Sequence, residues 1–184
     1  MGYIKLTTPL TKEKIENLHS GDKVLLTGII YTGRDAAHKK FIETLEKGEK
    51  LPFDINGTVI YYVGPTPEKP GEVIGSAGPT TSYRMDDYAP RLIKIGLMGM
   101  IGKGKRDKNV VDACVSFGSI YFGATGGAAA LIAKKIKKSK VVAYEELGTE
   151  AVRELYVEEM PLIVINDCYG RDLYEEGVAK WEKK

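Results

Sequence analysis

The sequence predicts a three-layer α/β domain with a mixed sheet and additional β structure. Two observations carry that prediction. Strand-like and helix-like segments alternate through the middle of the chain, and both ends are richer in strands. A length of 184 residues suits one domain spanning 1–184, and such a chain buries about 70% of its unfolded surface without needing disulfides.

In chain order, a short strand is expected at Ile4–Leu6, followed by a short polar helix at Lys12–Leu18. Val24 to Tyr31 is rich in β-formers and reads as a buried strand that ends at Thr32-Gly33. Asp35 is placed to cap a helix from Ala36 to Leu45, stopped by Lys47-Gly48. Thr58 to Val63 is a second strong strand, closed by Gly64-Pro65. Asp87 to Ile95 reads as a helix, Leu97 to Ile101 as a strand, Lys108–Phe117 as a helix and Ser119–Phe122 as a strand. A glycine turn at Gly123–Gly127 then leads into a helix from Ala128 to Lys137. Late strands follow at Val141–Tyr144, Val152–Val157 and Leu162–Asn166, with a hairpin turn at Asp167–Gly170 leading to Asp172–Tyr174.

Composition excludes several classes. A net charge of +2 gives no pull toward nucleic acid or an anionic membrane. Cys114 and Cys168 lie far apart without a Cys-x-x-Cys partner, so they form neither a disulfide framework nor a zinc knuckle. Two thiols also fall short of the three or four that an iron–sulfur cluster usually takes. Without a signal peptide or a membrane-length apolar run, the chain is expected to be soluble and cytoplasmic.

Five segments invite a functional reading, and three of them carry chemistry. Gly78-Pro79-Thr80-Thr81-Ser82-Tyr83-Arg84-Met85 puts hydroxyls and a guanidinium just after a turn. Thr80, Thr81 or Ser82 is expected to cap a helix running through Arg84 toward Pro90, with outward backbone N–H groups suited to a carboxylate or phosphate. Gly33-Arg34-Asp35-Ala36-Ala37-His38 places Arg34 at a strand end, where its fork suits a carboxylate. His38 there is expected to be a helix-face residue bonded to a neighbour rather than an acid or base. Gly99-Met100-Ile101-Gly102-Lys103-Gly104-Lys105 fits half of a P-loop, but Arg106 stands where the magnesium-binding Ser or Thr belongs. Lys103, between two glycines, keeps its ammonium available as a point charge for an anion. Gly123-Ala124-Thr125-Gly126-Gly127-Ala128 has the wrong spacing for a dinucleotide site and reads as a tight turn. Lys134, Lys135, Lys137, Lys138 and Lys140 read as the solvated face and end of a helix.

Taken together, the Gly33–His38, Gly78–Met85 and Met100–Gly104 motifs resemble the beta subunit, or C-terminal domain, of class I fumarate hydratases and L-tartrate dehydratases. Tyr121–Gly127 and Pro161–Asp167 extend the likeness over nearly the whole chain. The resemblance implies a swivelling β/β/α domain. It also implies a 4Fe-4S cluster held by an alpha subunit through cysteines this chain lacks, with the unligated iron acting as a Lewis acid on the substrate hydroxyl. By motif, Thr80 matches the proposed catalytic base, and Thr81, Arg34, Arg84 and Lys103 match positions that hold substrate carboxylates. The expected partners are the cluster-bearing alpha subunit, in a hetero-oligomer, and a small dicarboxylate, with no nucleic acid and no membrane.

The expected reaction is the interconversion of fumarate and malate. L-tartrate dehydration is the alternative within the family, and a non-catalytic anion-binding or interaction module the alternative outside it. Ala36 and Ala37 near Arg34 offer no group for a second substrate hydroxyl, whereas Tyr83 could offer one.

Overall fold

The computed structural model describes residues 2–124 and 129–182. Seven strands form one sheet: β1 (Ile4–Thr7), β2 (Lys23–Thr32), β3 (Val59–Tyr61), β4 (Gly99–Gly102), β5 (Ile120–Gly123), β6 (Ile136–Ala143) and β7 (Val152–Asn166). The helices are α1 (Lys12–Glu16), α2 (Asp35–Glu46), α3 (Ala89–Lys94), α4 (Lys108–Phe117), α5 (Ala129–Ala133) and α6 (Leu173–Trp181).

The strand order is β1-β2-β3-β4-β5-β7-β6, and β2 also pairs with β7. That extra pairing closes β2, β3, β4, β5 and β7 into a barrel-like ring. Neighbours from β1 to β5 are parallel, whereas β7 runs antiparallel to β2, β5 and β6. Closure leaves β1 and β6 as the extra strands.

Alternation along the parallel strands builds two cores, as the two-residue period of a strand requires. Val59 and Tyr61 of β3, Ile101 of β4 and Phe122 of β5 enter one core with Leu26, Leu155 and Val157. Ile60, Tyr62, Met100 and Tyr121 enter the other, against Ala37 and Phe41 of α2, Leu92 of α3, and Val110 and Cys114 of α4. The layers are therefore helices, parallel strands and the antiparallel β6–β7 side. The expected three-layer β/β/α arrangement with a mixed sheet is what the chain adopts.

Three expectations need correction. The helix expected at Ala128–Lys137 is only Ala129–Ala133 within the described residues, and the lysine run lies largely on β6. Ala and Lys favour a helix, but pairing Ile136 with Val157 buries Ile136 and that packing outweighs propensity. Lysines along an outer strand also discourage pairing with other chains. The strands expected at Val152–Val157 and Leu162–Asn166 are one strand. It passes through Glu159, at φ 48°, opposite a bulge at Gly28 with φ 128°. Finally, Asp172–Tyr174 opens α6 instead of forming a strand; Asp172 accepts from the Tyr174 amide at 2.8 Å and caps the helix. Asn166 still bridges Asp172 across the expected turn. Of the glycine turn, residues 125–128 lie outside the described residues. None of the described helices is long and apolar enough to cross a membrane.

Candidate functional site

Because β2, β3 and β4 are parallel neighbours, their carboxyl ends emerge on one edge, the usual place for ligands in such sheets. Arg34 follows β2, Gly64 follows β3 and Lys103 follows β4. The Thr80–Ser82 segment returns to the same edge and is stitched in by its backbone. The Thr80 amide donates to Tyr62 O at 2.7 Å, the Lys103 amide to Thr80 O at 3.2 Å, and the Ser82 amide to Lys103 O at 2.9 Å. Thr81 and Lys103 thereby form a parallel bridge.

This stitching overturns the expectation of one capped helix through Arg84. A 3₁₀ turn, Ser82–Met85, stands alone, Thr81 makes no side-chain cap, and α3 starts later with Pro90 in its first turn. Proline there fits because its missing N–H has no helical partner to lose. The amides of Thr80 and Ser82 serve the sheet rather than facing outward. What remains available is side-chain chemistry. Among the described residues the Thr80 hydroxyl and the Lys103 ammonium make no hydrogen bond or ion pair, and Lys103 is exposed. Gly102 explains the close approach of the two segments, since a Cβ there would overlap Ser82 Oγ and crowd Tyr62 Cδ2 at 3.0 Å.

Both arginines sit at the start of α2. Arg84 forks onto Asp35, with Nε 2.9 Å from Oδ1 and Nη2 2.7 Å from Oδ2. Asp35 is thus the first helical residue and an ion-pair partner, not the expected cap. Glu150 does the capping from across the chain: one of its oxygens accepts from the Ala36 amide at 3.0 Å and the other lies 3.2 Å from Arg34 Nη2. A carboxylate at that helix terminus is favoured by the unpaired amides and the dipole. Gly64 is needed beside Arg34, because a Cβ would come within 2.5 Å of Nη1. Arg34 Nε is buried without a hydrogen-bond partner.

Behind this edge lies a buried polar array that sequence reasoning missed. The Tyr121 hydroxyl is 2.9 Å from Ser82 Oγ and donates to Gly104 O at 2.9 Å. Arg106, the residue that spoils the P-loop pattern, is fully buried. Its Nε donates to Asp86 Oδ1 at 2.6 Å, and its guanidinium carbon lies 4.9 Å from the Tyr121 ring centre and 5.3 Å from that of Tyr62. Asp86 also accepts from the Asp107 amide at 2.7 Å. The signal for this array was a charged residue following Lys103-Gly104-Lys105 where a small hydroxyl was sought. Burial raises the Tyr121 phenol above its ordinary range, so it stays protonated and can donate.

His38 is bonded to a neighbour, as expected: its Nδ1 lies 2.9 Å from Arg34 O. The ring is wholly buried, and burial pushes its pKa down to about 4. The neutral imidazole packs against the rings of Phe41, Tyr62 and Tyr88. Cys114 is likewise shut in the helix-side core, where burial pushes its thiol up to about 12. A thiol that stays protonated is a poor metal ligand. Among the described residues no group of three or more His, Cys, Asp or Glu could hold a metal ion.

The Fumarase C-terminus family matches residues 1–177. A Methanocaldococcus jannaschii protein named "Putative L(+)-tartrate dehydratase subunit beta" is 44% identical over 181 residues, which cover 95% of this chain and 93% of that protein. The Escherichia coli "Fumarate hydratase class I, anaerobic" is 42% identical over 160 residues, covering 86% of this chain and 29% of that enzyme. The Leishmania major "Fumarate hydratase 2" is 38% identical over 180 residues, covering 96% and 32% respectively. The chain thus spans nearly all of the beta subunit but only about a third of these fumarate hydratases. Matches of this extent, on a β/β/α fold whose strand ends gather the expected motifs, show that the chain belongs to the Fumarase C-terminus family.

Proposed function

We propose that this chain is the beta subunit of an iron–sulfur-dependent fumarate hydratase, interconverting fumarate plus water with (S)-malate together with an alpha subunit in the cytoplasm. The observation that carries the reading is that Arg34 after β2, Lys103 after β4 and the Thr80–Ser82 segment bonded to Tyr62 and Lys103 lie on one edge of the parallel strands, with Arg84 tied to the start of α2. The fumarate hydratase names of several relatives support the substrate, and the "subunit beta" name of a relative of matching length supports a separate alpha chain.

The residues of this chain do not fit the family's cluster: the chain has two cysteines, one of them shut in the core, and among the described residues no group of three or more His, Cys, Asp or Glu could hold a metal ion. We therefore assign the cluster to the alpha subunit and route no step through this chain's cysteines. What this chain contributes is charge and a hydroxyl. A dicarboxylate needs two cationic clamps, and Arg34, Arg84 and Lys103 supply them, with Thr81 alongside. The partly exposed Arg84–Asp35 pair is worth about 0.2–1 kcal/mol, so a substrate carboxylate can share or replace Asp35 at small cost, whereas the more buried Arg34–Glu150 pair would be shared rather than replaced, Arg34 Nε having no partner of its own. Meanwhile the pairs keep the forks aimed. Removing a proton beside a carboxylate leaves two negative charges on that carboxylate, and fixed cations stabilise them as they develop. Thr80 is the residue assigned to that proton: its hydroxyl first gives its own proton to a base of the assembled site, and the resulting alkoxide takes the substrate proton, with the clamp cations lowering the cost of the anionic form.

L-tartrate dehydration is the second reading, favoured by the Methanocaldococcus jannaschii relative. Tyr83, more than half exposed beside Arg84, is the residue that would meet the additional hydroxyl. The deciding test substitutes Arg34, Arg84, Lys103 or Thr80 by Ala in the chain reconstituted anaerobically with its alpha subunit. The three clamp substitutions are expected to raise KM and lower kcat, whereas Thr80→Ala lowers mainly kcat, by about 10²–10⁴-fold. A Thr80→Ala complex with unchanged turnover would move the base elsewhere.

A further inference from the structure

Resting on the reading of the site just given, we propose that Tyr121 is a positioning residue: its hydroxyl couples the Thr80–Ser82 segment to the Lys103–Gly104 turn, so that Thr80 and Lys103 are presented as one unit. Tyr121 is buried near the start of β5, and its phenol makes no hydrogen bond to Thr80, Thr81, Arg84 or Lys103. It reaches the Ser82 hydroxyl at 2.9 Å and the Gly104 carbonyl at 2.9 Å, one atom from each of two motifs distant in sequence.

Those two atoms control geometry that the backbone ladder leaves loose. The Ser82 bond fixes a side-chain rotamer two residues from Thr80, where the chain is about to leave the edge for the 3₁₀ turn. The Gly104 bond fixes the Gly104–Lys105 peptide plane, one residue past Lys103, at a glycine with φ 85° whose backbone is otherwise free to turn. Only a donor–acceptor at that point can satisfy both. Arg106 lies over the face of the ring, with its guanidinium carbon 4.9 Å from the ring centre, and its bond to Asp86 staples the far ends of the same two segments together. The phenol stays protonated because burial raises its pKa, so the link persists across the working range of pH. Displacement of a reacting group by about 1 Å can cost on the order of 100-fold in rate, which makes such a link worth its burial.

The test is Tyr121→Phe, which keeps the ring and removes both bonds, studied in two ways. In the complex reconstituted with the alpha subunit, kcat for fumarate hydration is expected to fall at least fivefold, while Tyr31→Phe, which loses an equivalent bond to Glu154 elsewhere, stays within twofold. In the isolated chain, amide hydrogen exchange at Ser82 and Lys103 is expected to accelerate at least fivefold, with β7 amides unchanged. Ser82→Ala, which severs one arm only, should show the same pattern and carries the test if Tyr121→Phe does not fold. It should also add nothing to the kcat loss of Tyr121→Phe in the double variant. A smaller fall in kcat, or unchanged exchange at Ser82 and Lys103, would overturn the inference. Should the unsubstituted complex turn over neither fumarate nor L-tartrate, the proposed function fails, and the exchange measurement alone decides whether Tyr121 couples the segments.

Discussion

Arg106→Met should destabilise the chain by about 3–5 kcal/mol, the range expected when one member of a buried ion pair is removed. The magnitude follows from the surroundings. The Arg106 side chain is 0% exposed and that of Asp86 is 4% exposed, so water cannot replace the lost partner. Asp86 would keep the Asp107 amide at 2.7 Å and lose its only cation among the described residues. Methionine fills most of the volume between Tyr62 and Tyr121, which keeps the packing loss small beside the electrostatic one. Asp86→Leu alone should cost a similar amount by stranding the guanidinium. The double variant Arg106→Met/Asp86→Leu should recover at least half of the summed loss, because it strands nothing. Urea unfolding followed by far-ultraviolet circular dichroism measures all three, and the single variants should also melt about 6–20 °C lower. Single losses below about 1 kcal/mol, or a double variant equal to the sum of the singles, would refute the claim that the pair is a buried, mutually dependent unit.

Gly102→Ala should cost about 1–3 kcal/mol in the same assay, because its Cβ enters space held by Ser82 Oγ and Tyr62. His38 takes up its proton near 6.5 when unfolded but only near 4 when folded, so the unfolded chain binds more protons between those values. Stability should therefore fall as pH drops from about 6.5 to 4, by up to about 3 kcal/mol from this group, and His38→Leu should flatten that slope. With its thiol buried and pushed up to about 12, Cys114 should resist iodoacetamide in the native chain while the half-buried Cys168 is labelled; labelling of Cys114 at a comparable rate would contradict its placement.

Local signals made much of this legible. The strands β2 to β5 and helices α2 and α4 were marked by β-branched runs, by glycine stops and by the change of period. Arg34 was recognisable as a strand-end arginine and Lys103 as a glycine-flanked lysine for the same reason: both depend on their own neighbours in sequence. What was hidden depends on distant segments. The residues from Thr80 to Met85 look like a helix start, and only the hydrogen bonds to Tyr62 and Lys103 draw them into the sheet instead. Lys135 to Lys140 look helical until β7 pairs with them. Asp35 has the right chemistry for a cap, but Arg84 takes its carboxylate and Glu150 supplies the cap from beyond the end of β6. Tyr121 and Arg106 carried no motif of their own, since a buried polar residue is recognised by its partners.

The most direct test of the central claim is the specificity constant for fumarate, (S)-malate and L-tartrate, measured anaerobically on one preparation of this chain with its alpha subunit, and on each chain alone. The account predicts no turnover by this chain alone, hydratase activity that oxygen destroys once the two are mixed, and a preference of at least about tenfold, some 1.4 kcal/mol, for fumarate and malate over L-tartrate. Turnover by this chain by itself would contradict the two-subunit reading, and an equal or higher value for L-tartrate would give the assignment to tartrate dehydration.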